Sequence, residues 1–147
     1  GVYYQTHGIA NNDFLRVCGK DCDGTLLPAG PLLVSDQLSD SNPVKRSALA
    51  YRQAYDTAYG ANTVSTFGGN AWDAGLLLEH AIPQALKKGQ PGSEAFREAL
   101  RSALENTTDL HTSQGVVNMT AADHSGLDER ARVMVRIVGG AWRLAAN

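Results

Sequence analysis

Strand-like segments at both ends of the chain enclose a middle that has the pattern of three helices, and this order limits the fold most strongly. Near the C-terminus, Val133, Val135 and Ile137 alternate with Arg or Met, and a Gly-Gly pair then leads into residues 141–144. Alternation with a period of two and a glycine turn is typical of a β-hairpin with one buried face. Residues 2–5 are aromatic and β-branched and predict a short strand at the other end. The sequence therefore predicts an α/β fold.

The clearest helix signal lies in residues 44–59. Residues 40–43 supply a cap followed by a proline at the first helical position, and Gly60 suits the C-terminal end. Before this helix, residues 24–27 and 31–34 look extended, because the prolines beside them exclude a helix. This part of the chain is predicted to be irregular and strand-like.

Two further helices are predicted in the middle of the chain. One begins near Gly69 and continues past Pro83, which kinks it, as far as Lys88. The other is capped by Ser93 and presents one apolar face. Residues 115–119 after it look extended. The helical middle carries apolar faces that need more sheet to cover them, which indicates a part of a larger protein.

Charge and composition exclude two classes of function. The 147 residues include 13 Lys+Arg and 15 Asp+Glu, and the formal net charge is −2. Because like charges form no block, nothing resembles a stripe that neutralises phosphates, and nucleic acid is not an expected partner. The apolar runs are a few residues long, far below the ~18 that span a bilayer, so a membrane span is not predicted.

The cysteines Cys18 and Cys22 leave two alternatives open. On a helix they would lie one turn apart, close enough for a bridge. Helix geometry rarely meets the requirements of a disulfide, so two free or buried thiols are the favoured prediction.

One polar cluster near the C-terminus suggests an enzyme as the alternative function. Asp123, His124, Ser125 and Asp128 bring together an imidazole, a hydroxyl and two carboxylates, the components of a small hydrolase or transferase. The favoured interpretation is a tight turn in which the polar side chains bind local backbone groups. No nucleophile elbow is present, and no catalytic residue is predicted.

Neither a metal nor a cofactor is predicted. Residues 21–24 lack the carboxylate series of a calcium loop, and Gly68-Gly69 lacks the lysine of a phosphate-binding loop.

Aromatic and short polar residues gather at the predicted ends of strands and helices. They are His7 and Gly8 after the first strand, Asp23 and Gly24 before the second, and Phe67, Asn70 and Trp72 at a helix start. Such residues can line a cleft for a small ligand, with apolar walls and a few orienting polar groups. The same residue types also serve in packing, and composition does not decide between these two roles.

A series of short motifs runs in a fixed order along the chain. They are residues 4–8, 13–15, 23–25 and 28–32, Pro43, Phe67, residues 71–74, 96–100 and 123–128. Their order and spacing resemble the type I solute-binding proteins of bacterial ABC transporters, the group built around branched-chain amino-acid binders. The likeness covers essentially the whole chain.

The resemblance implies a partial type I periplasmic-binding-protein fold with segments of two three-layer α/β lobes. Residues 1–35 and 121–147 would belong to the second lobe. Residues 36–120, mostly helical, would be the C-terminal part of the first lobe. The N-terminal part of the same protein would then be missing from this chain.

The resemblance also implies site residues. Asp23-Gly24 matches an acidic-Gly pair whose carboxylate meets a ligand amino group, although the family commonly has a longer acid. Trp72 matches the aromatic residue of a Tyr-Asp-Ala motif, and an indole there indicates stacking on the ligand. The loop at His7-Gly8 would approach the cleft from the second lobe.

The implied function is binding without catalysis. The receptor would capture a small carboxylate, either a branched or neutral amino acid or an aromatic acid, between its lobes and deliver it to an ABC permease. The location implied is periplasmic, or extracellular and lipid-anchored in a Gram-positive host. Self-association of the fragment is a further expectation, because its apolar helix faces are uncovered.

Overall fold

Residues 1–145, which the computed structural model describes, form four α-helices and five strands in two sheets. The helices are α1 (Asn12–Cys18), α2 (Lys45–Tyr59), α3 (Thr66–Ala85) and α4 (Glu94–Glu105). The strands are β1 (Leu26–Ala29), β2 (Leu110–His111), β3 (Val116–Val117), β4 (Val133–Val138) and β5 (Ala141–Leu144). None of the described helices has the length and apolar character needed to cross a membrane.

The larger sheet has the strand order β1-β4-β5, and both pairings are antiparallel. The β4–β5 hairpin confirms the alternation in the sequence, because Val135 and Ile137 are fully buried while Met134 and Val138 are exposed. Both glycines of its turn have positive φ, a conformation that side chains disfavour. The predicted single buried face is therefore present.

The predicted strand at residues 2–5 is reduced to one parallel bridge between Tyr4 and Leu26. The Leu26 N–H donates to the Tyr3 carbonyl at 2.9 Å, and the Gln5 N–H donates to the Leu26 carbonyl at 2.8 Å. The N-terminal segment thus lies along β1 without forming a full strand.

Helix α4 confirms its predicted cap, whereas α2 confirms only its glycine end: α2 begins at Lys45, its N-cap is Val44 without a side-chain cap hydrogen bond, and Pro43 therefore lies before the helix and not at its first position. Asn42 Oδ1 accepts from the Val44 N–H at 2.9 Å, and Gly60 ends α2 with φ +96°. Ser93 Oγ accepts from the Phe96 N–H at 3.1 Å at the start of α4.

Three sequence predictions about element bounds are wrong. Helix α3 begins at Thr66, earlier than Gly69, because Ser65 Oγ caps it by accepting from the Gly68 N–H. It ends at Ala85, short of Lys88, because the chain must turn to pack Gly89 closely against the start of α4.

The third wrong prediction concerns residues 31–34, which are helical and not extended. They form part of a 3-10 helix, Pro31–Gln37. Pro31 occupies its first turn, where the missing N–H costs nothing.

The prediction of free thiols is also wrong, since Cys18 and Cys22 form a disulfide. The prediction assumed one continuous helix, but α1 ends at Cys18 and Gly19 has φ +53°. The turn sets the two Cα atoms 5.7 Å apart, within the range that disulfides require.

Two hydrophobic clusters form the core of the described chain. The first joins the larger sheet to α1 and includes Leu27, Val34 and Ile137. The second lies in the helical middle and is made of Leu32, Val44, Ala48, Tyr51 and Val116. The Pro31–Gln37 helix contributes to both clusters, with Leu32 in the second and Val34 in the first.

The division into residues 1–35 with 121–147 and residues 36–120 stays a prediction. The last two residues of the predicted second-lobe segment, 146–147, lie outside the described part of the chain.

Candidate ligand cleft

Two adjoining pockets lie where the larger sheet meets the helical middle, and we call them together the cleft. The Phe67 pocket, about 490 Å³, lies between residues 10–13 at the start of α1 and residues 62–67. The Trp142 pocket, about 380 Å³, lies between the β4–β5 turn, the Pro31–Gln37 helix and α2. Both pockets share Asn12 and Leu33, so the cleft is continuous along the Pro31–Gln37 helix.

Phe67 is the sequence-predicted site residue that lines the cleft directly. It lies in the first turn of α3, and the Ser65 cap sets the start of that helix. Its side chain is 74% exposed, so it forms a wall of the cleft without being part of either hydrophobic cluster. An exposed aromatic ring in a cleft can stack on a flat or apolar ligand.

His7 and Gly8 lie immediately before the residues that line the Phe67 pocket. They belong to a 3-10 helix, His7–Ile9, that ends where Ala10 enters the pocket wall. Both are exposed. Neither residue lines the two pockets, and their role in a ligand site stays a prediction.

Asp23 and Gly24 form the turn that leads into β1. Asp23 Oδ1 accepts a hydrogen bond from the Gly139 N–H at 2.6 Å, and the Gly24 N–H donates to the Ile137 carbonyl at 2.8 Å. Gly24 has φ +87°, which favours glycine at this position. Asp23 is exposed and lies beside the hairpin turn that borders the Trp142 pocket.

Trp72 and Asn70 make their described contacts within the helical middle. The ring centroid of Trp72 is 5.4 Å from that of Tyr51, with the rings tilted by 47°. Asn70 Oδ1 accepts from Gln114 Nε2 at 3.3 Å. Trp72 is 39% exposed, so part of its indole remains accessible. The three residues therefore lie on one helix but differ in their contacts: Phe67 lines the cleft, whereas Trp72 contacts Tyr51 and Asn70 binds Gln114.

Asp73 is an important residue that sequence reasoning did not select for a role. It is buried, and its two carboxylate oxygens accept from the backbone N–H groups of Ser113 at 2.7 Å and Gln114 at 3.1 Å. Burial raises the pKa of Asp73, and the hydrogen bonds from the 112–114 turn oppose that rise. This carboxylate ties α3 to the β2–β3 turn. Its position next to Trp72 in the sequence did not indicate that its carboxylate would be buried as a hydrogen-bond acceptor.

The Trp142 pocket contains two buried polar atoms without a hydrogen-bond partner among the described residues. They are Trp142 Nε1 and Asp56 Oδ1. Arg52 crosses the same pocket wall, with Nη1 3.0 Å from Asp36 Oδ1. No local sequence pattern marks this group, because its members come from three distant segments.

The Asp123–Asp128 segment does not form a nucleophile with its base. His124 Nε2 lies 3.2 Å from Glu105 Oε1 on α4, and Asp123 Oδ1 accepts from the Ser125 N–H at 2.9 Å. Asp128 binds Arg130 through both carboxylate oxygens. Within the described residues, none of these contacts joins Ser125 to His124, and the turn interpretation is the one the geometry supports.

No group of three or more His, Cys, Asp or Glu side chains that could hold a metal ion occurs in residues 1–145.

Solved structures of binding receptors match the chain over nearly its whole length. An extracellular ligand-binding receptor from Rhodopseudomonas palustris HaA2 is 41% identical with a TM-score of 0.92, and the match covers 99% of this chain and 41% of that receptor. A periplasmic binding protein type 1 from Bordetella pertussis Tohama I is 18% identical with a TM-score of 0.69, covering 98% and 38%. A leucine-binding protein from Thermotoga maritima MSB8 is 18% identical with a TM-score of 0.66, covering 99% and 37%.

The two matches at 18% identity show the fold alone. The chain spans about two fifths of the length of the receptors that it matches. No family model and no curated protein matches it. The matches confirm the α/β fold class predicted from the sequence.

Proposed function

We propose that the chain, which has the fold of a type I periplasmic solute-binding protein, corresponds to the C-terminal part of such a protein. On this premise, it supplies one side of a ligand cleft in an ABC-transporter receptor. The observation that carries the proposal is the continuous cleft along the Pro31–Gln37 helix, which contributes to both hydrophobic clusters, with the exposed ring of Phe67 on the wall of the cleft. Clefts between packing units are frequent sites for small molecules.

The two hydrophobic clusters support the division of the chain between two lobes. Residues 1–35 and 121–147 would belong to the second lobe, and residues 36–120 to the first. Leu38 belongs to the first cluster and Val44 to the second, so the backbone passes from one cluster to the other over residues 38–44. A short crossover of this kind allows lobes to rotate about it, which is the motion that closes a receptor on its ligand.

The ligand class that fits the cleft is a small carboxylate with an apolar or aromatic body. Phe67 offers the apolar contact, and Asp23 offers a carboxylate to a ligand amino group at the edge of the hairpin turn. Gly24 and Gly8 would let the backbone approach closely, and His7 would add a polar rim. A branched or neutral amino acid meets all of these groups, whereas an aromatic acid would use chiefly the ring contacts.

Trp72 and Asn70 would act from the same helix as Phe67. The exposed part of the Trp72 indole would stack on the ligand or support the helix start through Tyr51. Asn70 would orient the turn at Gln114 through its hydrogen bond.

Binding without chemistry is the activity that the arrangement supports. The ligand would stabilise a closed form by its greater affinity for that form, and the closed receptor would then dock on a permease in the membrane. The Rhodopseudomonas palustris HaA2 receptor is described as extracellular and the Bordetella pertussis protein as periplasmic, and we propose the same side of the membrane for this protein, in the periplasm or attached by a lipid outside a Gram-positive cell.

The test begins with the intact mass of the protein expressed from its complete gene. A mass well above 15.7 kDa is expected, and a mass equal to that value contradicts the proposed missing part. Calorimetric titration of the intact protein with neutral amino acids and aromatic acids then follows. Binding of one class that Phe67→Ala weakens is expected. Hydrolysis of an ester or amide that His124→Ala abolishes would favour the enzyme instead.

A further inference from the structure

Helix α1 forms the part of the cleft wall that both pockets share. Asn12, in its first turn, lines the Phe67 pocket and the Trp142 pocket. Asp13 also lines the first of these pockets, and Leu15 lines the second. The position of this one helix therefore sets the shape of the cleft on that side.

The helix has little of its own to hold it in that position. It is seven residues long, whereas isolated helices shorter than about 12–15 residues are marginal in water. No residue of α1 is buried, and Phe14 and Leu15 contact the first hydrophobic cluster as partly buried side chains. Two turns of helix with no buried residue gain little from packing, so α1 needs a further attachment to the core.

The Cys18–Cys22 disulfide supplies such an attachment. It joins the last residue of α1 to Cys22, which is 6% exposed and belongs to the first hydrophobic cluster. The Thr25 N–H donates to the Cys22 carbonyl at 3.1 Å, and the Thr25 carbonyl accepts from the Ile137 N–H at 3.0 Å. A half-exposed helix is thereby connected to β4, the central strand of the larger sheet.

We propose that this disulfide positions α1 as a wall of the cleft, so that ligand affinity depends on the bridge beyond its contribution to global stability. The role in ligand binding rests on the proposed function, whereas the anchoring of α1 does not. When the bridge is absent, α1 detaches locally while the larger sheet stays folded, because segments with few buried contacts open at a lower free energy than core strands. The apparent Kd for a ligand then rises as the fraction of molecules with α1 in place falls.

The first experiment compares the intact protein with the double variant Cys18→Ala/Cys22→Ala, which removes the bridge without placing a hydroxyl in the core. Hydrogen exchange followed by mass spectrometry reports on residues 12–19 and on residues 133–138 separately. Faster exchange in residues 12–19 and unchanged exchange in residues 133–138 are expected.

The second experiment measures affinity by calorimetry, with L-leucine and benzoate as probes of the two proposed ligand classes. The double variant should bind the probe that the native protein binds about tenfold more weakly, which corresponds to α1 in place in about one molecule in ten.

Reduction of the native protein tests the same bridge without a substitution. A small dithiol attacks one sulfur, the S–S bond breaks, and the reagent leaves as its cyclic disulfide. Two electrons and two protons pass to Cys18 and Cys22, which become thiols. The reduced protein should match the double variant in both measurements, and reoxidation should restore the native values.

Ser93→Ala is the matched control for a loss of stability elsewhere. It removes the cap that Ser93 Oγ provides to the Phe96 N–H at the start of α4, a helix that does not line the cleft. It should change neither the exchange of residues 12–19 nor the affinity for the probe.

The anchoring is overturned if residues 12–19 exchange at the native rate in the double variant, or if residues 133–138 accelerate equally. The positioning role is overturned if the double variant keeps the native affinity, or if Ser93→Ala weakens binding as much. A native protein that binds neither probe counts against the proposed function, and hydrogen exchange then decides on the anchoring alone.

Discussion

The carboxylate of Asp23 holds the turn of the β4–β5 hairpin, because Asp23 Oδ1 accepts from the backbone N–H of Gly139 at 2.6 Å. The hairpin turn continues into Gly140, which lines the Trp142 pocket. One side chain therefore has a structural role at the edge of the cleft and, in our proposal, a second role toward the amino group of the ligand.

Substitutions of Asp23 separate these two roles. Asp23→Asn keeps an oxygen that accepts from Gly139 but removes the charge, so the free energy of unfolding should stay within about 0.5 kcal/mol of the native value. Ligands with an amino group should bind about 1.5–3 kcal/mol more weakly in the intact protein, because a charge-assisted hydrogen bond is lost. Calorimetry with an amino acid and with an aromatic acid lacking the amine measures the difference.

Asp23→Ala is the matched variant for the structural role. It removes the acceptor for Gly139 and should lower the free energy of unfolding by about 1 kcal/mol in urea titrations. Equal ligand affinities in the native protein and Asp23→Asn would remove this residue from the proposed site.

Phe67 and Trp72 should differ in their effects on stability and binding. Phe67→Ala removes an exposed ring and should leave the unfolding free energy nearly unchanged while weakening ligand binding by about 1–2 kcal/mol. Trp72→Ala removes the contact with Tyr51 and should destabilise the fold by about 1–2 kcal/mol, and it should weaken ligand binding by a similar amount if the indole also stacks on the ligand. Paired measurements of unfolding and ligand affinity distinguish the two residues. An unchanged affinity in both variants would contradict the proposed aromatic wall.

The sequence predicted the elements whose signals are local, and it failed where the deciding contacts are distant. The glycine end of α2, the cap of α4 and the alternation in β4 are contained within a few neighbouring residues, and all three are confirmed. The conformation of residues 31–34 depends on Leu32 and Val34 entering different hydrophobic clusters. No local pattern encodes such a division.

The candidate site shows the same contrast. Phe67 is predicted as a site residue from its place at a helix start, and the structure places it on a pocket wall, while its contact with a ligand stays a prediction. The group of Asp56 and Trp142 was missed, because residues more than eighty positions apart meet only through the fold. Asp73 belongs to a short motif in the sequence, but its two backbone donors lie in a turn about forty residues later, so its buried role could not be predicted locally.

The disulfide should contribute measurably to stability. Replacing both Cys18 and Cys22 with Ser opens a very short loop, for which chain entropy predicts a loss of about 2 kcal/mol. Urea unfolding of the double variant, compared with the native protein under oxidising conditions, measures the loss. Treatment of the native protein with a reductant should reproduce the same decrease, and the double variant serves as the control that the reductant does not affect.

Asp73→Asn should destabilise the link between α3 and the β2–β3 turn. Asparagine offers one acceptor oxygen where Asp73 offers two, so one of the N–H groups of Ser113 and Gln114 loses its partner. The expected loss in the free energy of unfolding is about 1–2 kcal/mol. Asn70→Ala, one turn earlier in α3, is the control, because its hydrogen bond to Gln114 is longer and partly exposed. Equal losses in both variants would contradict a special role for Asp73.

The raised pKa of Asp73 makes the effect of Asp73→Asn on the free energy of unfolding depend on pH. Burial raises the pKa of Asp73 above 3.8, so the folded state binds more protons than the unfolded state just above that pH. This group therefore stabilises the native protein most below pH 3.8, and its contribution falls as the pH rises through the raised pKa. The stability difference between the native protein and Asp73→Asn should be larger near pH 3.8 than at pH 7.

Asp128 should act in the opposite direction and in a lower pH range. Hydrogen bonds from the Arg130 guanidinium and its backbone N–H lower the pKa of Asp128 from 3.8 to about 2. Its contribution is complete above pH 3.8 and is lost as the pH falls toward 2, because protonation removes the pair with Arg130. Asp128→Asn should therefore make acid unfolding less steep between these two values, as followed by circular dichroism. Asp13→Asn is the control, because Asp13 pairs with Arg16 through a longer contact of 3.2 Å on an exposed helix. An equal change of the acid transition in both variants would contradict the expected role of the lowered pKa of Asp128 in acid unfolding.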